Sequence, residues 1–535
     1  FNPFYVDFVS SGNTLTMELF NTLVSPTELS NIITVNATNF INLLRYTALQ
    51  VVILSNSLDA SSTTLLEGQL VQLLVCIRIL TKMVPVYLQR RKLQDIFWTR
   101  NSNHIFGLSD EEPAELPPLG LLLVRALVKL LFIEGFTIAS RGSPGSFTHL
   151  LWENGVSTQD TTYHHQSPVI DSNRLEILNL VLAMCSSDLY QPRDFIPEPS
   201  KKINRFLFCL TTLTPEYDLI CTVASIINLV CRFCSNYQEE TTIPYHDLGY
   251  KQNHQQHLPA LRHTLVLSSL QLLNLMCYND WNRAETFKFT LSLKLQSSND
   301  IENLLPNMVL SYLTTFNREF DLKLILTSFA KIFKLPVDLA IEQESNPLNF
   351  LSRRPSSTNL NDQTNTTNNQ ESTNENNDST TLPPVSPLLV EWLILFTRLL
   401  QMNKCFENYV ADKIANRLII FSVYYLNFYN DVPEISTALI PLCSNLTLML
   451  SSRKLVLSKL LDRFTPNYYT NKIPNFFKLS TGNINNITYR DFTLIHLCNM
   501  AISDIKNNVR PRPWLFELIY NILPIPLNLK DEELA

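Results

Sequence analysis

Apolar residues recur three and four positions apart along almost the whole chain, and that rhythm predicts helices. The first predicted helices lie within 16–57, the second running from Asn39 through LLRYTALQVVILSN. Another spans 63–83, with Leu65, Leu70, Leu73, Leu74, Ile77 and Leu80 on one face, Arg78 and Lys82 outside, and Pro85 as its expected stop. A short helix is expected around 93–98, and a broadly apolar one at 119–135, whose Arg125 and Lys129 should reach the surface.

The stretch 151–192 is the most distinctive. It joins LWENGV to a His-bearing loop and then to NRLEILNLVLAMCSSDLYQP. Asn173 reads as an N-cap and Glu176, three residues on, as its capping-box partner. Leu175, Leu178, Leu182 and Cys185 form the buried stripe, and Pro192 forbids continuation. Trp152 and Trp98 are the expected aromatic anchors beside this helix.

Further helices are predicted at 201–212, 216–236, 260–279 and within 301–346. FKFTLSLKL at 287–295 alternates strictly, which leaves that stretch open between a short strand and a helix. Past an interruption, helices resume at 387–401, 404–430, 435–464, 488–507 and 513–523. The interruption is sharp. From Ser356 to Thr381 nearly every residue is Asn, Thr, Ser, Gln, Asp or Glu, too little apolar surface to fold. Its flank RRPSS offers Ser356 as a phosphorylation site for a basophilic kinase. No fixed-period motif appears, so the predicted class is all-α, an irregular armadillo/HEAT-like helical solenoid with long disordered loops. The expected organisation is 1–350 as the N-terminal part of the solenoid, 351–385 as the insertion and 386–535 as its continuation. The chain starts at Phe1 in mid-pattern and stops at DEELA, so flanking residues are expected at both ends.

Composition adds exclusions. Of 535 residues 45% are hydrophobic, 17% are charged and only 10 are Gly, which favours helices and leaves no phosphate-cradling loop. A net charge of −6 supplies no basic field for nucleic acid. The ten cysteines, among them Cys76, Cys185, Cys221, Cys277 and Cys498, lie mostly in apolar helical runs and read as reduced, buried thiols. No run is expected to be long and uncharged enough to span a bilayer, and the best, 119–133, carries Arg125 and Lys129.

Candidate chemistry is sparse. Cys231-x-x-Cys234 and His254-x-x-His257 have ligand types that suit zinc, but the gap between the pairs is long and the His pair is one residue short of the usual finger spacing. His164 and His165 stand near Glu153, yet no nucleophile elbow or HExxH accompanies them. Gln89-Arg90-Arg91-Lys92 reads as a solvated helix terminus, with contact to anionic lipid as the alternative. No catalytic residue and no cofactor is expected.

Several segments in this order carry a resemblance: FWTRN at 97–101, PPLGLLLVRALVKLLFIEGFT at 117–137, LWENGV, NRLEILNLVLAMCSSDLY, IPYHDL at 243–248, YLTTFNREFDLKLILTSFAKIFK at 312–334 and NKIPNFFKLSTGNINNITYRDFTLIHLCN at 471–499. They resemble the high-temperature-induced dauer-formation protein family, distantly related to dymeclin. NKCFENYVADKIANRLIIFSVYYL and FTPNYYTN are similar to its fungal branch. The resemblance implies a non-catalytic scaffold, cytoplasmic and peripheral on Golgi or trans-Golgi membranes, acting in late secretory and endosomal sorting. Implied partners are sorting machinery and, in fungi, a deubiquitinase, with an effect on cell-wall integrity. It also implies membrane attachment through an N-terminal lipid that this sequence does not carry, and no nucleic acid. On this reading Trp98, Trp152, Glu153, Gly155, Asn173 and Glu176 are structural family positions. The competing readings are a zinc-binding or hydrolytic enzyme and a nuclear-transport-type helical adaptor.

Deleting 356–381 is expected to leave the thermal midpoint nearly unchanged, because so polar a segment contributes little burial. A calorimetric loss of several degrees would show that it packs.

Overall fold

A computed structural model describes residues 25–60, 67–90, 93, 95–99, 117–139, 150–158, 167–190, 203–241, 257–278, 283–293, 306–345, 382–430, 432–464, 473–478, 487–510 and 512–523. Most of those residues are helical, and among them extended pairing is limited to isolated bridges, Glu134 with Ile138 and Arg463 with Thr488. The class is all-α. Ser356 and the polar insertion fall outside the described residues, as do His164, His165 and His254.

Contacts divide the chain into two units, 1–328 with 394–405 and 329–393 with 406–535. In the first, α1 (Pro26–Val35) and α2 (Ala37–Ala60) precede α3 (Glu67–Gln89) and α4 (Leu119–Leu130). Next come α5 (Pro168–Cys185), the short α6 (Arg205–Phe208), α7 (Glu216–Thr241), α8 (His257–Met276), α9 (Arg283–Leu293) and α10 (Met308–Thr314). Helix α5 packs on α3 and α8, α2 packs on α3 and α4, and α7 packs on α8. Helices α11 (Glu319–Ser345) and α12 (Pro387–Met402) each contribute to both units. The second unit continues with α13 (Lys404–Lys413), α14 (Ala415–Phe428), α15 (Pro433–Ser451), α16 (Lys454–Leu460), α17 (Tyr489–Lys506) and α18 (Pro513–Ile522). Here α14 packs on α15 and α17, and α18 packs on α15 and α17. Lengths from 4 to 27 residues make the stacking irregular.

Two expectations are corrected, and a stretch left open is resolved. Helix α3 runs through Pro85 to Gln89. Proline removes one backbone bond, but Val84, Val86, Tyr87 and Leu88 are all buried, and their packing holds the last turn. Residues 95–98 form a turn rather than a helix. The alternating stretch is helix α9: Thr286, Phe289 and Leu293 face inward while Phe287 and Leu291 face out. Arg125 and Lys129 are half-buried, and the Nε and Nη2 of Arg125 both donate to the Leu213 carbonyl, at 3.2 and 2.9 Å. In addition, three described helices, Gly68–Gln89, Glu216–Asn236 and Pro433–Ser451, are long and apolar enough to cross a membrane by length and composition, where none was expected. The second has 78% of its window buried by protein.

Asparagines close several helix ends. Asn307 Oδ1 accepts from Val309 and Leu310 N–H at the start of α10, while its Nδ2 donates to Met276 O at the end of α8. Asn204 does the same between α5 and α6, accepting from Leu207 N and donating to Met184 O. Asn403 Nδ2 donates to the Leu313 carbonyl in the last turn of α10 and to the Phe316 carbonyl just past it, each at 2.9 Å. Each such side chain satisfies orphan groups that burial would otherwise make costly.

In the second unit an aromatic cluster surrounds Tyr424, with Tyr425, Phe428, Tyr429 and Phe477 against it. His496 lies between Phe477 and Phe492, each ring centroid 4.5 Å away, and its Nε2 has no partner. Burial lowers its pKa to about 4, against a hydrogen bond to the Phe477 backbone that raises it. Between pH 6.5 and 4 the unfolded chain therefore binds this proton and the folded chain does not. Stability should fall with pH across that window by up to about 1.4 kcal/mol per unit from this residue. Denaturant melts of His496→Leu should show a shallower acid loss than the parent; identical slopes would contradict the assignment.

Candidate functional site

The segment 151–158 runs through the first unit as an irregular strip of backbone, buried despite its polarity. Leu151, Trp152, Glu153, Asn154, Val156 and Thr158 are each at most 5% exposed. Buried loop backbone must find partners, and neighbouring helices provide them. Asn228 of α7 accepts from Val156 N at 2.5 Å and donates to the Glu153 carbonyl at 2.9 Å. Arg232 Nε donates to Asn154 O at 3.0 Å, and Ser225 Oγ accepts from Trp152 N at 3.3 Å. Thr158 closes the turn, its Oγ1 accepting from Gly155 N at 2.8 Å. Gly155 is needed because a Cβ there would stand 2.6 Å from Asn228 Oδ1. Ser157 sits in the left-handed region, φ 67°, held by Asp321 Oδ1 accepting from its N–H and by a 2.9 Å hydrogen bond to the Tyr312 hydroxyl.

Trp152 fills the space beneath the end of α4. Its Nε1 donates to Leu131 O at 3.0 Å. Two α5 residues treat the same turn alike: Asn173 Nδ2 donates to Phe136 O at 3.0 Å, and Arg174 Nε to Thr137 O at 2.7 Å. The Arg174 guanidinium also lies over the Trp152 ring, 4.9 Å from its centroid.

Four ionised groups complete the site. Arg174 Nη1 pairs with Asp171 at 3.0 Å; Arg262 of α8 pairs with the other Asp171 oxygen at 2.7 Å and with Glu153. Their side chains are between 4% and 14% exposed. Two positive and two negative charges cancel, which is what keeps ions stable this far from water. Burial pulls the Arg174 guanidinium down to about 10, against the attraction of Asp171, so it stays charged at neutral pH. For Arg262 burial also lowers the pKa, but Glu153 and Asp171 outweigh it and the net shift is upward. Arg262 thus ties the glutamate of the motif to the first turn of α5.

The expected capping box is corrected. Helix α5 begins at Pro168 with Ser167 as N-cap, so Asn173 and Glu176 lie inside it. Pro at the first position costs nothing there, and the earlier start brings Asp171 into reach of Arg262. Glu176 pairs with Arg78 of α3 at 3.0 Å. Trp98 stands apart from the charged site: its ring packs on Gly120 and lies 4.9 Å from Phe206 and 5.1 Å from Phe289. Of the expected positions, the structure therefore brings together Trp152, Glu153, Gly155 and Asn173.

Cys231 and Cys234 lie fully buried in α7, and burial pushes the Cys231 thiol up to about 12. His254 and the side chain of His257 are outside the described residues. Among the described residues, no three His, Cys, Asp or Glu side chains gather to hold a metal ion. Cys498, expected to be buried, is exposed on α17, and Cys405 is also exposed. Asp171, Arg262 and Asn228 carry no motif, and Arg174 lies within NRLEIL with nothing there to single it out. The signal for them was a lone charge or amide on the apolar face of a helix, which burial obliges to pair.

Comparison with known proteins matches residues 13–532 to the family model of the high-temperature-induced dauer-formation protein. The chain is 35% identical to the Saccharomyces cerevisiae protein ECM30 over 98% of its own length and 43% of that protein's. It is 26% identical to human protein HID1 over 51% of the chain and 34% of the human protein. A Schizosaccharomyces pombe relative, Ubp5-interacting protein ftp105, is 28% identical over 23% of the chain and 13% of its own length. The chain thus spans less than half the length of these relatives. No solved structure matches.

Arg262→Ala should cost about 3–5 kcal/mol, since it takes the guanidinium away from buried Glu153 and leaves Asp171 with Arg174 alone. Lys413→Ala, which opens the exposed pair with Asp412, should leave stability nearly unchanged in the same measurement, since solvent screens such a pair. Trp152→Ala should cost about 3–5 kcal/mol in the same chemical denaturation. A near-zero change in Trp152→Ala would instead make the ring a surface contact.

Proposed function

Because the chain belongs to the high-temperature-induced dauer-formation protein family, we propose that it is a non-catalytic scaffold that binds other proteins through the surfaces of its helices. The observation that carries this reading is the chemistry of its most distinctive segment. Among the described residues of 151–174, Glu153, Asp171 and Arg174 are each held by a charge partner or a backbone carbonyl, and the described thiols nearby are buried, which raises their pKa. Such groups position helices; they present no free base or nucleophile to a substrate.

The partner class follows from the fission-yeast relative, whose name records an interaction with Ubp5. We take the partner here to be a deubiquitinase, recruited to the cytoplasmic face of Golgi or trans-Golgi membranes in late secretory and endosomal sorting. An effect on cell-wall organisation belongs to the same reading, through the cargo that reaches the surface. Long stacked helices suit this role, because they offer an extended face on a rigid support.

Two measurements on the full-length protein in cells test the proposal. Affinity purification with mass spectrometry should recover a deubiquitinase in near-stoichiometric amount, and a fluorescent fusion should overlap a trans-Golgi marker. A nuclear-rim signal without Golgi overlap would favour a nuclear-transport adaptor. Stoichiometric zinc in purified protein, lost with Cys231→Ser and Cys234→Ser, would favour the metal-binding reading.

A further inference from the structure

Helices α17 and α18 are apolar on two opposite faces. The inner face of α17 buries Phe492, Leu497 and Met500, and that of α18 buries Leu515, Leu518 and Ile522. Through these faces α17 packs on α14 and α16, and α18 packs on α15. On the other side of α17, Ile495, Ile502, Ile505 and, just past its end, Val509 are 37–66% exposed at helical spacing. On α18, Phe516, Tyr520 and Leu523 repeat that arrangement at 47–76% exposure. The two helices pack on each other, and each stripe lies opposite the face that its own helix buries.

The seven side chains leave on the order of 800 Å² exposed, above the usual monomer patch and close to what each partner contributes to a standard interface. The charges beside the stripes are of both signs. Lys506 and Arg510 are exposed next to the α17 stripe and Glu517 next to the α18 stripe. A lipid surface would favour a basic rim without Glu517. A surface that carries both halves of a charge pair around an apolar centre complements itself under a two-fold rotation.

We propose that this face is an interface with a second copy of the same chain, α17–α18 against α17–α18, with Glu517 of each copy set against Lys506 and Arg510 of the other. The surface is independent of the Trp152 site and of the sorting role.

Cys498 lies on the α17 stripe between Ile495 and Ile502 and is exposed, as is Cys405 on α13. The two thiols are therefore a reporter and its internal control. Light scattering of the purified full chain should give a dimer, and maleimide should label Cys498 more slowly than Cys405 as concentration rises. Ile505→Asp is exposed in the monomer and should leave its helicity unchanged, while raising the dissociation constant about a hundredfold. Lys506→Glu and Glu517→Lys should each weaken the dimer, and the double exchange should recover it. A monomer with Cys498 labelled as fast as Cys405 overturns the proposal. So does a monomer with Cys498 protected, which would place the cover within the same chain, and so does a dimer indifferent to Ile505→Asp.

Discussion

Arg262 is the point on which the first unit depends. It lies on α8, yet its guanidinium is held by Glu153 of the irregular segment and Asp171 of α5. One side chain thus fixes three pieces of chain that are distant in sequence. Taking four ions out of water is costly, and mutual attraction repays the cost only in one geometry. A hydrophobic substitute of equal volume could give equal stability. What the charges add is register, because an aliphatic contact tolerates sliding and a two-sided ion pair does not.

The consequences spread through backbone groups. With α5 held at its first turn, Asn173 and Arg174 reach the carbonyls of 136 and 137 that follow α4. With Glu153 held, the segment lies along α7, and Asn228, Ser225 and Arg232 take up its amides and carbonyls. The segment has no regular structure of its own, so without these partners its burial would leave polar backbone unsatisfied. The sequence LWENGV makes sense in these terms. Trp fills and donates, Glu pairs, and Gly lets Asn228 approach.

Much of the fold was legible in the chain. Helical periodicity located the helices, because a stripe of Leu and Ile at three and four spacings has one common solution. Local signals misled where tertiary packing opposed them. Pro85 reads as a stop, but the buried residues on both sides hold the helix together. Asn173 followed by Glu176 has the form of a capping box, yet Ser167 caps the helix six residues earlier. FKFTLSLKL alternates like a strand and left strand and helix both open; as a helix it still puts Phe289 and Leu293 inside. The site was half visible. Its aromatic and acidic residues stand in a motif, whereas Arg174, Arg262 and Asn228 sit in unrelated helices. Their pairing is a property of three-dimensional proximity, which periodicity does not encode.

The central claim is that 151–158 is an architectural joint as firmly held as the helices around it. Native-state amide hydrogen exchange tests it directly, since protection reports how far the structure must open to release each N–H. The amides of Trp152, Gly155 and Val156 should exchange as slowly as those of buried α7. Replacing Arg262 should release them together with the first turn of α5. Exchange of these amides within seconds in the parent protein, or protection unchanged when Arg262 is replaced, would contradict the account.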